Sequence, residues 1–225
     1  MIAWSSRLDT RRFQLLLACL FALLLLYPAA ESLEDGDLFL HAVASMVLIA
    51  GVYAVAGRTR VFACAGVLAF LAIVGDAAVL MGAGRGVRLA SLASEAAFQL
   101  LIDAAVLRAV ITARRVDADT LSGGLCAYLL TGMAFASIYS IVETLAPGSC
   151  AFPDPGVVAG GPRWTDFVFF SFTTLTTLGY GDIRPVSDLA RSLTSTESIL
   201  GVFYMAILVS RLVSLYEDRS VAEPC

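Results

Sequence analysis

"WTDFVFFSFTTLTTLGYGDI", residues 164–183, decides how this chain is to be read. Its first twelve residues, Trp164–Leu175, are apolar and aromatic apart from Asp166 and a few hydroxyls. Twelve residues of helix reach about 18 Å, well short of a bilayer core of about 30 Å. The overlapping stretch Thr173–Ile183 packs four threonines, two glycines, a tyrosine and an acid together. A helix that dips into a membrane and stops must return as non-helical chain with unpaired carbonyls. Such backbone is tolerated only when buried in protein or lining a watery cavity. Cations can satisfy those carbonyls. Gly179 and Gly181 supply dihedrals closed to other residues and leave room for close approach.

The surrounding sequence is membrane-like. The 225 residues are 59% hydrophobic and only 15% charged, where a soluble domain carries about 25%. The mean hydropathy is +0.83. Six spans are expected: residues 11–30, 38–57, 61–82, about 89–113, about 120–145 and about 192–216. The first could serve as a signal peptide, but its long core favours a retained helix. The Pro/Gly-rich stretch 146–163, which includes Asp154, reads as an outer loop. Arg7, Arg11, Arg12, Arg58, Arg60, Arg114, Arg115 and Arg219 fall on one side if both termini are cytoplasmic, whereas Arg85 and Arg88 break the pattern. A multi-pass protein of the plasma or bacterial inner membrane is expected, in contact with its lipids.

Little is left for other functions. His41 is the single histidine, no cysteine or acid cluster has metal-ligand spacing, and no nucleotide motif or catalytic triad can be proposed. The chain is read as no enzyme, with no cofactor beyond an ion, no nucleic-acid partner and no cytoplasmic ligand-binding domain. Asp76, Asp103 and Arg108 lie deep in apolar runs, where ionisable groups pair or face a polar cavity. An ion pair from Asp76 or Asp103 to Arg108 is expected, either as a structural bridge or as part of a polar site. Glu95 is placed near the outer headgroups. Cys150, alone on the outer side, reads as a free thiol or as an intersubunit bridge.

Thr177-Leu178-Gly179-Tyr180-Gly181-Asp182 resembles the selectivity-filter signature of the potassium channel superfamily, with Leu178 where valine is usual. The resemblance covers roughly residues 120–217. It implies an all-α membrane protein with six transmembrane helices, a re-entrant pore helix and a selectivity-filter loop, assembled as a tetramer with three identical subunits. Residues 1–118 would form a four-helix domain resembling a voltage-sensor bundle without its charges. Residues 119–225 would form the pore domain. The fourth span offers Arg108 and then a basic end, too few charges for steep voltage gating.

The implied function is passive, selective conduction of K+. Carbonyls of Thr177, Leu178, Gly179 and Tyr180, together with Gly181, would form the filter. Side chains of Leu178 and Tyr180 would pack on Phe169 and Phe170. Asp182 would sit at the outer mouth, and Thr173 stands where some relatives carry an acid that pairs with it. Glu197 either bonds the back of the pore helix or filter or stays wet near the outer surface. Gly201 is a hinge or a close-packing point. A non-selective cation channel and a non-conducting membrane scaffold or regulatory subunit are the competing readings.

Overall fold

The computed structural model describes residues 12–30, 36–56, 59–113, 118–153 and 162–222, with side chains placed except at 27–30, 36, 37, 209 and 211–222. Among these residues the chain forms seven helices: α1 (Arg12–Ala30), α2 (Gly36–Ala54), α3 (Thr59–Leu80), α4 (Arg85–Thr112), α5 (Ala118–Leu145), α6 (Trp164–Leu175) and α7 (Asp188–Ala222). A two-residue ribbon pairs β1 (Cys150–Ala151) antiparallel with β2 (Arg184–Pro185). Arg7, Arg11, Arg58, Arg114, Arg115 and Asp154, used above to orient the chain and its outer loop, lie outside the described residues.

The expected count of six transmembrane helices does not hold. Three of the described helices are long and apolar enough to cross a membrane: α3, α4 and α5. The apolar parts of α1 and α2, Arg12–Leu26 and Leu38–Ala54, fall short of the 18 residues required. α7 has the length, at 35 residues, and is not among the three helices of spanning length and apolarity found over the described residues. The apolar windows of α1 and α2 are shorter than the runs counted from the sequence. Three spanning-length apolar helices support a multi-pass membrane protein.

The helices are joined by small residues and by capped ends. On α3 the buried residues are Ala65, Ala69 and Ala72, one stripe at helical spacing. That stripe continues to Gly75, where an added Cβ would lie 2.8 Å from the Ser91 Cβ of α4. Small side chains let helix backbones approach when lipid supplies no hydrophobic drive. α5 is the central wall. Phe135, Tyr139, Leu130 and Met133 are buried along it, and it packs against α1, α4, α6 and α7. At one end Asp119 of α5 accepts the backbone N–H of Phe13 (3.1 Å) and of Gln14 (3.4 Å), satisfying first-turn donors of α1. At the other, the Arg85 guanidinium donates to the carbonyls of Thr144 and Leu145 (2.9 Å for Leu145) and closes the C-terminus of α5. That bond accounts for an arginine on the side where the charge rule did not expect one.

Candidate functional site

The twelve-residue helix α6 starts and stops where the sequence places it. Asp166 accepts the Arg163 backbone N–H at 2.8 Å and lies 3.8 Å from the Arg163 guanidinium, an N-terminal box that fixes the helix entry. Phe167, Val168, Phe170, Ser171 and Leu175 are buried against α5 and α7. The helix ends at Leu175, and two residues on Thr177 has a left-handed φ of 59°, a conformation rare without glycine. The Thr177 N–H closes the turn onto the Thr174 carbonyl at 2.9 Å.

Beyond it, left-handed φ recurs at every second residue: 59° at Thr177, 56° at Gly179 and 81° at Gly181. In a regular strand successive carbonyls point to opposite sides. Switching alternate residues to the left-handed region is what lets them turn to one side. Only one bond ties the middle of this return to the chain behind it, from Gly179 N–H to the Thr173 carbonyl at 3.0 Å. Leu178 and Tyr180 are 57% and 64% exposed, and Asp182 is exposed as well. Tyr180 stacks on Phe169, with ring centroids 6.0 Å apart and planes within 4°. Phe170 does not join that packing. It turns the other way, 4.8 Å from Tyr139 of α5. The Thr173 hydroxyl bonds the Phe170 carbonyl at 3.0 Å and is spent on its own helix.

The outward end of the return is clamped. β2 follows the return by two residues and pairs with β1 of the loop after α5. Val186 and Ser187 both donate backbone N–H groups to the Ser149 carbonyl, at 2.8 and 3.2 Å. The Glu143 carboxylate holds that loop by accepting the N–H groups of Gly148 (2.7 Å) and Cys150 (2.9 Å). Cys150 is free and 4% exposed. Burial, then the Glu143 carboxylate, pushes its thiol up to about 11. A thiol so covered is not offered to a neighbouring subunit.

The back of α6 is fastened by Glu197 of α7. The carboxyl is fully buried, so the reading in which it stays wet does not hold. Tyr139 donates to its Oε2 at 2.6 Å, and its Oε1 meets the Ser171 hydroxyl. Ser171 also lies 2.7 Å from the Gly132 carbonyl of α5. Ser171 has one proton for two neighbours. The set closes when Ser171 donates to Gly132 and a neutral Glu197 donates to Ser171. Three helices are thereby joined at one carboxyl. One turn on, Gly201 is buried, and a Cβ there would stand 2.0 Å from the Leu175 carbonyl of α6. The close-packing reading of Gly201 accounts for this position.

Tyr128 reaches the same Leu175 carbonyl at 3.4 Å, and Tyr204 of α7 bonds the Gly124 carbonyl of α5. Ser198 reaches the Thr174 carbonyl at 3.3 Å. Sequence reasoning missed Tyr139, Ser171 and Glu143. The signal it had was the unpaired Glu197, a buried acid that demands a donor.

The ionisable residues of the amino-terminal helices come together differently from the expectation. Arg108 is exposed, and neither aspartate pairs with it. Asp76 faces the His41 Nδ1 at 3.6 Å and accepts the Ser91 hydroxyl. Asp103 accepts from Thr131 at 3.1 Å through Oδ2, while its buried Oδ1 has no partner. Arg108 sits five residues after Asp103, a spacing that puts the two on different helix faces.

Residues 125–218, from mid-α5 through most of α7, match a protein-family model described as "Ion channel". Among curated proteins, the inward rectifier potassium channel Kirbac3.1 of Paramagnetospirillum magnetotacticum is 32% identical over 93 residues, 40% of this chain and 27% of that protein. Protein LctB of Geobacillus stearothermophilus is 36% identical over 84 residues, 36% of this chain and 60% of that protein. The chain thus spans between about a quarter and three fifths of the length of these relatives. No solved structure matches. At the level of the family, the likeness supports ion conduction by the α5–α7 segment.

Proposed function

We propose that four copies of this chain form a potassium-selective channel that conducts K+ passively through Thr177–Gly181. The observation that carries this reading is the left-handed φ at residues 177, 179 and 181 in a non-helical return behind a twelve-residue helix. Carbonyls of Thr177, Leu178, Gly179 and Tyr180 replace an ion's hydration shell. The stack of Tyr180 on Phe169 holds the return at one distance from α6. Glu197 and Gly201 hold α6 at one depth against α5 and α7.

A single chain encloses no axis, and the faces it leaves bare support further copies. Leu178 and Tyr180 are exposed, as are Ile199, Val202, Phe203 and Ile207 of α7. Exposed apolar rows of this kind ask for a covering partner or lipid. Arginines before α1, after α2 and after α4 favour the cytoplasm for that end of the bundle. The name of the Paramagnetospirillum magnetotacticum relative speaks of potassium for that protein, and Tyr180 with Asp182 keeps the selective form of the signature here.

The test is reconstitution of the full chain in liposomes, with reversal potentials measured in mixed potassium and sodium and subunits counted by chemical cross-linking. Potassium-selective current from a four-subunit species is expected. Equal sodium and potassium permeability would identify a non-selective cation channel. Correct tetramers without flux would identify a scaffold.

A further inference from the structure

Two helix ends in this chain carry charge of the wrong sign for their own dipoles. A helix N-terminus is partly positive and favours acids, and a C-terminus is partly negative and favours bases. α4 opens with Arg85 and Arg88 in its first turn, no acid there and no side-chain cap at Gly84. α5 closes with Glu143 in its last turn and no base. Both charges are used elsewhere. The Arg85 guanidinium crosses to α5 and donates from Nη2 to the Thr144 and Leu145 carbonyls, supplying the cation that the end of α5 lacks. Glu143 reaches forward to the Gly148 and Cys150 N–H groups, at 2.7 and 2.9 Å. Arg88 is exposed.

Neither end of this line is loose. α3 stops in two nested backbone bonds of 2.9 Å, from Gly82 N–H to the Val79 carbonyl and from Ala83 N–H to the Ala78 carbonyl, with Gly82 at a φ of 88°. Just behind the turn, the Ser91 hydroxyl of α4 reaches the Ala72 carbonyl of α3 at 3.2 Å. Arg85 is therefore carried on a stiff hairpin. On the other side, Ser149 stands between the two N–H groups that Glu143 holds. Its carbonyl accepts the Val186 and Ser187 N–H groups at 2.8 and 3.2 Å. Cys150 pairs with Pro185 and Ala151 with Arg184, two residues past Asp182.

We propose that Arg85 is a positioning residue for conduction. From the α3–α4 hairpin it sets the end of α5 and, through Glu143 and Ser149, the end of the Thr177–Asp182 return. Its bearing on conduction rests on the channel reading above, whereas the line of bonds from Arg85 to Val186 stands without it. The middle of the return has one bond to the chain behind it, from Gly179 to Thr173, so its far end lies where Val186 and Ser187 are held. Without Arg85 the last carbonyls of α5 lose their donor and the final turn frays. Glu143 belongs to that turn and moves with it. The acceptor of Gly148 and Cys150 is displaced, and the Ser149 carbonyl between them shifts under Val186. The amino-terminal helices thus gain a hold on the return that needs no row of charges.

Hydrogen exchange of the full chain reconstituted in liposomes reads the line without any flux. Arg85→Gln is expected to quicken exchange at Val186 and Ser187 by about threefold or more. The potassium-to-sodium permeability ratio from reversal potentials is expected to fall by about threefold in the same variant. Arg85→Lys keeps the cation without the planar fork and should lie between Arg85→Gln and wild type. Arg88→Gln removes a neighbouring charge outside the line and should leave both readings at the wild-type level. Arg85→Gln combined with Glu143→Gln should exchange no faster at Val186 than the stronger single variant, since both cut one line. Quickening confined to Ala146, whose N–H bonds the Val142 carbonyl at 2.8 Å, would reduce Arg85 to a cap of α5 and overturn the line. Additive effects, or an equal response in Arg88→Gln, overturn it as well. Faster exchange at Val186 with an unchanged permeability ratio overturns the positioning role. Should Arg85→Gln fail to assemble, Arg85→Lys carries the same comparisons. Absence of flux in the wild type overturns the channel reading instead, and exchange then judges the line alone.

Discussion

Glu197 and Asp103 are both carboxyls set between helices, and the chain treats them in opposite ways. Glu197 joins α5, α6 and α7, and each of its oxygens has a partner. Asp103 lies between α4 and α5 with one oxygen on Thr131 and the other buried without a partner. Around α6 the Glu197 carboxyl is saturated and Gly201 lets backbones approach closely, although the Ser140 and Thr165 hydroxyls and the Trp164 indole N–H are buried without a partner. In the amino-terminal helices one acid is left short of a donor. Satisfied polar networks rigidify and specify a single arrangement, while an unsatisfied buried atom is a standing cost. The difference separates a carboxyl fastened on both oxygens from one with slack.

The largest expected effect comes from the tightest contact. Gly201→Ala sets a methyl against the Leu175 carbonyl, and we expect a loss of about 3 kcal/mol with collapse of potassium flux. Wild-type flux and thermal midpoint in detergent for this variant would remove the close-packing role. Next, Glu197→Ala leaves Tyr139 and Ser171 without their partner and opens a void, at about 2–3 kcal/mol. Glu197→Gln keeps a donor for Ser171 and an acceptor for Tyr139, so it should lose less than about 1 kcal/mol. Equal damage from the two variants would mean that the carboxyl is ionised, and the contrast with Asp103 would weaken.

Glu143→Ala removes the acceptor from two N–H groups, with an expected loss of about 1–2 kcal/mol. Hydrogen exchange at Gly148 and Cys150 is the direct readout. The raised Cys150 thiol gives a pH prediction with a definite sign. The fold favours its neutral form, so this contribution is complete below the ordinary value of 9.0 and fades as pH rises through about 11. At pH 8 alkylation of Cys150 should run at least about tenfold slower than in the denatured chain. Smallest of all, Asp103→Asn should be within about 0.5 kcal/mol of wild type or slightly stabilising, since it removes charge from an oxygen with nothing to meet it.

Much of the carboxyl-terminal half was legible because its signals are local. The short helix follows from an apolar run bounded by Asp166 and by the threonines, and the return follows from the spacing of two glycines. What escaped were partners supplied across helices. Glu197 announces that it needs donors, but Tyr139 and Ser171 are 58 and 26 residues away. Phe169 and Phe170 are adjacent and chemically alike, yet one faces Tyr180 and the other Tyr139, a choice made by helix rotation. The span count exceeded the three apolar helices of spanning length found among the described residues, with α1 and α2 offering shorter apolar windows. Arg108 was assigned an acid because a charge among apolar residues was taken as buried, whereas its face of α4 is exposed.

The β1–β2 ribbon gives this end of the bundle a handle. The loop after α5 is stitched to the chain leaving residues 177–182 through Ser149 and the Cys150–Pro185 pair. An antibody fragment or small protein that grips this loop would therefore pull on residues 177–182 without touching them. Insertions made there for labelling would be felt three residues from Asp182.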